Sequence, residues 1–181
     1  MLNLPNMLSI FRLCLVPVFV IVYFSPLPAA NVLAVVIYVV ATVTDFLDGK
    51  IARKYNLITN LGKVLDPLGD KMLTFAVLAC LSIDELIPGW IVAVFFVKEA
   101  MMGIGGLLIH RRAHVEIPAS NYIGKTATVL FFVFCGLLIL FDGIPHTAAV
   151  IMICVALGVS LAAFVSYLGK YISIMENKKK T

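Results

Sequence analysis

Asp45, Asp48, Asp66 and Asp70 fall in one short stretch, residues 44–71, and are four of the six aspartates in the chain. Nearly everything around them is apolar. On a helix, Asp45 and Asp48 share a face at i and i+3, and Asp66 and Asp70 do so at i and i+4. Two helices joined by a turn through residues 54–60 would bring the two pairs together. Four clustered carboxylates cannot all stay ionised without cations between them. Hard divalent ions that prefer oxygen ligands, Mg²⁺ or Mn²⁺, are the natural partners. A pair of such ions suits an in-line displacement at phosphorus.

The neighbours of the carboxylates agree with that chemistry. Gly49 follows Asp48, Ala52 lies one turn beyond it, and Gly62 lies one turn before Asp66. Without bulk at these positions a phosphate or nucleotide can come close to the helices. Arg53 can offer a fixed cation to a phosphate oxygen. Lys71, next to Asp70, can balance the acidic charge.

The elements that must position these residues are apolar helices. The chain has 181 residues, 62% of them hydrophobic and 13% charged, with a mean hydropathy of +1.06. A soluble domain is about half apolar and a quarter charged. A spanning helix needs roughly 20 apolar residues. The expected fold is therefore an all-α integral membrane protein of six transmembrane helices in a single catalytic domain, residues 1–181. The spans are expected at 8–24, 31–51, 62–82, 88–109, 123–141 and 146–171. The second continues as a helix through the first aspartate pair. Ser25-Pro26-Leu27-Pro28 stops the first, and Trp90 is placed as an interfacial anchor of the fourth.

Charge sets the expected topology. The linkers after spans one, three and five hold no Lys or Arg, whereas Lys50, Arg53, Lys54, Lys63, Arg111 and Arg112 cluster around the other two. Positive segments stay cytoplasmic. Both termini and the aspartates are thus expected on the cytoplasmic side of the cell membrane. The net charge of +4 is a topology signal that can also hold anionic headgroups; nothing points to nucleic acid. The N-terminus lacks a basic n-region before its apolar run, so a retained span is expected rather than a signal peptide. Cys14, Cys80, Cys135 and Cys154 stand singly in apolar runs and read as small buried hydrophobes.

Taken together, Asp45-x-x-Asp48-Gly49-x-x-Ala52-Arg53, eight residues, Gly62-x-x-x-Asp66-x-x-x-Asp70 resembles the signature of the CDP-alcohol phosphatidyltransferases, with every signature position filled. The opening Asn3-Leu4-Pro5-Asn6-Met7-Leu8-Ser9-Ile10-Phe11-Arg12 and the run Gly62–Lys71 are similar to the phosphatidylglycerophosphate synthase branch of that family. The resemblance implies that Asp45, Asp48, Asp66 and Asp70 hold two metal ions on the pyrophosphate of CDP-diacylglycerol. It implies that Gly49, Ala52, Arg53 and Gly62 shape the CMP pocket, that Asp70 is the general base on the acceptor hydroxyl, and that the enzyme is a homodimer.

The acceptor is less tightly specified. Glycerol 3-phosphate needs cations for its phosphate, and Arg111, Arg112 and Lys125 are the candidates, with His110 and His114 beside them. The branch commonly shows Gly-Lys-x-Lys-Thr at the start of span five, but this chain reads Gly124-Lys125-Thr126-Ala127-Thr128. That departure leaves room for phosphatidylglycerol as acceptor, the cardiolipin synthase reaction, or for another alcohol such as an inositol phosphate. Lys98-Glu99, inside span four, is expected to line the active-site cavity or to contact another span. Consecutive helical positions point about 100° apart, so a simple mutual pair is not expected. Arg12 either reaches the same cavity or snorkels to the interface. Gly103, Gly105 and Gly106 read as sites of close helix packing. A solvated loop would not need Gly-x-x-Ala-Arg in fixed register. A divalent-cation transporter would place its carboxylates near the midplane rather than at span ends.

Asp70→Asn is predicted to lower turnover at least about 100-fold while sparing CDP-lipid binding, because the base is lost and an oxygen ligand remains. Turnover of the purified variant near the wild-type rate would remove that role.

Overall fold

The computed structural model describes the backbone of residues 4–54, 62–113 and 122–179, and the side chains of residues 7–45, 69, 71–105 and 122–169. Six helices run through these residues: α1 Leu4–Tyr23, α2 Ala30–Lys54, α3 Gly62–Ile83, α4 Gly89–Ala113, α5 Tyr122–Leu140 and α6 His146–Lys179. No strand occurs among the described residues. All six expected spans coincide with helices, but several helices outrun their apolar runs. α2 extends to Lys54, α4 to Ala113 and α6 to Lys179. Backbone hydrogen bonding depends on helix-compatible residues and not on hydrophobicity, and the Lys, Arg, Ala, Met and Glu at these ends all favour helix.

Proline sets where three helices begin. Pro28, Pro88 and Pro145 stand one or two residues before α2, α4 and α6, where a missing N–H costs nothing. The carbonyls of Pro88 and Pro145 accept from Ile91 and Ala149, each at 3.0 Å. α3 ends differently. The Leu86 N–H donates to Leu81 at 3.0 Å and the Glu85 N–H to Ser82 at 3.2 Å. That is a Schellman closure, with Glu85 held at φ 59°, where glycine is usual.

Among the described residues, Tyr122–Leu140 and His146–Gly169 are long and apolar enough to cross a bilayer, and Met7–Tyr23, Ala30–Asp45 and Lys71–Ile83 are shorter apolar stretches. The residues group into two compact units, one of Met1–Leu86 with Cys135–Ile144, the other of Ile87–Phe134 with Pro145–Thr181.

In the first unit α1 packs on both α2 and α3. The buried stripe of α2 is Ala30, Ala34, Tyr38 and Ala41, and four residues on comes Asp45. Small residues at this spacing let α1 approach closely, and Phe19 of α1 meets Tyr38 with ring centroids 6.4 Å apart. One end of this unit is tied by polar contacts. The Tyr23 hydroxyl donates to Asp84 Oδ2 at 2.7 Å, and Asn31 Nδ2 donates to Asp142 Oδ1 at 2.6 Å. At about 1.5 Å per residue, the Arg12 and Asp45 positions lie roughly 16–21 Å along their helices from that end.

In the second unit α4 packs on α6. Phe95 of α4 meets Phe131 of α5 edge-on, with centroids 5.2 Å apart. Two expectations change here and in α1. A Cβ added at Gly103 or Gly105 would meet nothing within 4 Å, so these glycines do not mark close packing within the chain; Gly106 lies outside the described side chains. Cys14 is exposed, whereas Cys80 and Cys135 are buried and Cys154 is intermediate. An apolar helix has an outward face, and a cysteine costs little on either side.

Glu85→Gly is expected to raise the melting temperature in detergent, by the equivalent of roughly 0.5–1 kcal/mol, because it relieves the left-handed backbone cost of a side chain. Scanning fluorimetry of the two proteins would check this, and a lower melting point would show that the Glu85 side chain contributes more than its backbone costs.

Candidate active site

α2 carries Asp45, Asp48, Gly49, Ala52 and Arg53, and α3 carries Gly62, Asp66 and Asp70. The expected pair of helices therefore exists, and α2 and α3 pack against each other within the first unit. The side chains of Asp48, Asp66, Asp70, Arg53, Gly49, Ala52 and Gly62 lie outside the described residues. Asp45 and Gly69 are described, and they show how the two helices are tied.

Arg12 of α1 makes the tie. Its Nη1 forms an ion pair with Asp45 Oδ1. The Arg12 side chain is wholly buried, whereas Asp45 keeps 36% of its surface accessible. A Cβ built on buried Gly69 would lie 3.4 Å from both Cδ and Nη1 of Arg12. One guanidinium nitrogen thus touches the Asp45 carboxylate on α2 and skirts α3 at the residue before Asp70. Arg12 neither snorkels outward nor stands apart from the aspartates. Sequence reasoning left this residue open. The available signal was a lone cation inside an apolar run, which demands an anionic partner at membrane depth.

Lys98 and Glu99 follow the second of their expected roles, contact with another helix, but depart from expectation in pairing with each other. Lys98 Nζ pairs with Glu99 Oε1 despite their adjacent positions, because a four-carbon stem can swing across the 100° between them. The same ammonium donates to Ser160 Oγ of α6 at 2.7 Å and sits 5.6 Å from the Phe95 ring centroid. Lys98 is thereby an α4–α6 contact. A cavity of about 290 Å³ adjoins it, walled by Val94, Val97, Met101, Leu161, Phe164 and the Lys98 side chain. Those walls are apolar, so it offers no donor set for a phosphate.

Of the acceptor-site candidates, Arg111 and Arg112 are in the last turn of α4, with side chains outside the described residues, as is that of His110; His114 lies outside them altogether. Lys125 is exposed in the first turn of α5, its ammonium 5.8 Å from the Tyr122 ring centroid. Ala127, where a second lysine would stand, is buried.

Residues 2–163 match the family model described as CDP-alcohol phosphatidyltransferase. The chain belongs to the CDP-alcohol phosphatidyltransferase family. It is 36% identical over 140 residues to the CDP-diacylglycerol–glycerol-3-phosphate 3-phosphatidyltransferase of Bacillus subtilis (strain 168), covering 71% of this chain and 72% of that one. It is 38% identical over 132 residues to the protein of the same name from Rickettsia bellii, covering 71% and 70%. The cardiolipin synthase (CMP-forming) of Streptomyces coelicolor is 34% identical over 145 residues, covering 78% and 67%. Membership makes the chain a phosphatidyltransferase, and its apolar helices fit the membrane association that phospholipid synthesis requires.

Removing either partner of Lys98 should be felt unequally. Glu99→Ala leaves a buried cation without its anion and is expected to cost about 3–5 kcal/mol, whereas Ser160→Ala removes one interhelical hydrogen bond worth roughly 0.6 kcal/mol. Thermal unfolding in detergent separates the two, and equal losses would remove the ion pair as the dominant interaction.

Proposed function

We propose that the chain transfers the phosphatidyl group of CDP-diacylglycerol to glycerol 3-phosphate, releasing CMP and forming phosphatidylglycerol phosphate. The observation that carries this reading is the helix pair α2–α3, which bears the complete signature and is joined through Arg12 at Asp45 and Gly69. The names of the Bacillus and Rickettsia relatives support the acceptor.

The donor set fits a divalent metal. Asp45 is an accessible carboxylate beside a buried cation, and three more aspartates lie on the same two helices. Asp45, Asp48, Asp66 and Asp70 would hold Mg²⁺ or Mn²⁺, two ions in the full site. When bound, the ions neutralise the pyrophosphate and ease departure of CMP. The protein's own part is to orient and to move one proton. Gly49, Ala52 and Gly62 admit the nucleotide, and Arg53 pairs with a phosphate oxygen. Asp70 accepts the proton of the acceptor hydroxyl as that oxygen attacks the β-phosphorus. Arg111, Arg112 and Lys125 bind the acceptor phosphate.

The six helices are read as six spans of one catalytic domain in the cytoplasmic membrane, with the aspartates and both termini facing the cytoplasm. The Tyr23–Asp84 and Asn31–Asp142 contacts support this. They gather the acidic linkers at one end of the first unit, opposite the Arg12–Asp45 end. A soluble nucleotide product then leaves directly to water. The working enzyme is read as a homodimer.

A second reading keeps the chemistry and exchanges the acceptor for phosphatidylglycerol. Two observations favour it: buried Ala127 in place of a lysine and similarity to the Streptomyces cardiolipin synthase. CMP release by the purified protein in detergent, with CDP-diacylglycerol and Mg²⁺, is expected only when glycerol 3-phosphate is added. Release only on adding phosphatidylglycerol would move the enzyme to cardiolipin synthesis. Release with no added acceptor would remove both readings, and divalent-ion flux into sealed vesicles without CMP release would replace them with transport.

A further inference from the structure

Arg12 is outside the eight signature positions, yet its side chain touches one of them, Asp45. It is wholly buried, pairs through Nη1 with Asp45 Oδ1, and passes α3 at Gly69. We propose that Arg12 is a positioning residue, which holds the Asp45 carboxylate in the orientation that binds a divalent ion. The proposal rests on the reading of Asp45 as a metal ligand.

Three features carry it. A carboxylate has two oxygens, and a guanidinium on one fixes the plane in which the other presents itself to a metal. Groups that orient a metal ligand in this way are worth about 10–100-fold in metal affinity. Second, the partners differ in access. Asp45 keeps 36% of its surface open and Arg12 none, so an incoming ion can reach the carboxylate while the guanidinium stays enclosed. Third, an arginine suits the task better than a lysine. Its planar fork sets direction as well as charge, and it stays protonated in apolar surroundings. The bare face of Gly69 provides the corridor. An alanine there would bring its Cβ into van der Waals contact with Cδ and Nη1, and a larger side chain would claim the volume that the guanidinium uses.

The test is Mn²⁺ binding, read by electron paramagnetic resonance on purified protein in detergent, for wild type, Arg12→Lys and Arg12→Met. Turnover at saturating Mn²⁺ is read alongside. Arg12→Lys keeps the buried cation that Asp45 needs, so it addresses the question even where Arg12→Met does not fold. The Mn²⁺ dissociation constant is expected to rise about 10-fold in Arg12→Lys and up to about 100-fold in Arg12→Met. The KM values for CDP-lipid and acceptor at saturating Mn²⁺ should stay near wild type, and added Mn²⁺ should recover turnover. Unchanged or tighter Mn²⁺ binding in Arg12→Lys overturns the proposal, as does a raised KM for CDP-lipid with metal affinity intact, which would put Arg12 on the substrate. A wild-type protein that binds no Mn²⁺ would instead overturn the metal reading of the aspartates, and the positioning role with it.

Discussion

A full charge enclosed among apolar helices has to meet its opposite, and in this chain that requirement falls on Arg12. Its partner Asp45 is on another helix, and the two can meet only if α1 and α2 run side by side at one axial offset. The Ala30, Ala34, Tyr38 and Ala41 stripe provides that offset, since small residues let the helices approach until Phe19 lies over Tyr38. The ion pair is then the consequence of the packing and also a check on it. A shift of one helical turn, about 5.4 Å, would strand a buried guanidinium. That penalty is far larger than the loss of a few methyl contacts. The same register brings α3 in at Gly69, so three helices converge at the level of the acidic stretch.

The two units solve the buried-charge problem in different ways. In the first, the cation is matched with a carboxylate that remains accessible, which leaves an anionic group available for chemistry. In the second, Lys98 is matched with its own neighbour Glu99 and with Ser160, and the adjoining cavity is apolar. The second arrangement satisfies the ammonium internally and presents no polar group to that cavity. Accessibility of the anion, more than the presence of an ion pair, therefore distinguishes a candidate site from a structural contact in this molecule.

Much of the architecture is legible along the chain. Apolar runs of about 20 residues, prolines before α2, α4 and α6, and basic residues around alternate linkers outline six helices to within about four residues of every end but the C-terminal end of α6. Where the outline falls short, the cause is that hydrophobicity marks the buried length of a helix and not its hydrogen-bonded length, as the extensions to Lys54, Ala113 and Lys179 show. Gly103 and Gly105 illustrate a different limit. Small residues permit a close approach but do not cause one, and the chain folds with that part of α4 open.

The sequence by itself determined the family signature and where it falls: four aspartates at i, i+3 and i, i+4 spacing with small residues and an arginine beside them, on two consecutive helices. Those features are local, because helical periodicity fixes which residues share a face within one element. Only the tertiary structure decided which cation serves which anion. Arg12 and Asp45 are on different helices, and Lys98 finds Ser160 62 positions away. Such pairings depend on which helices adjoin and how far each slides along the other. That is set by side-chain packing summed over whole faces, and no single motif records it.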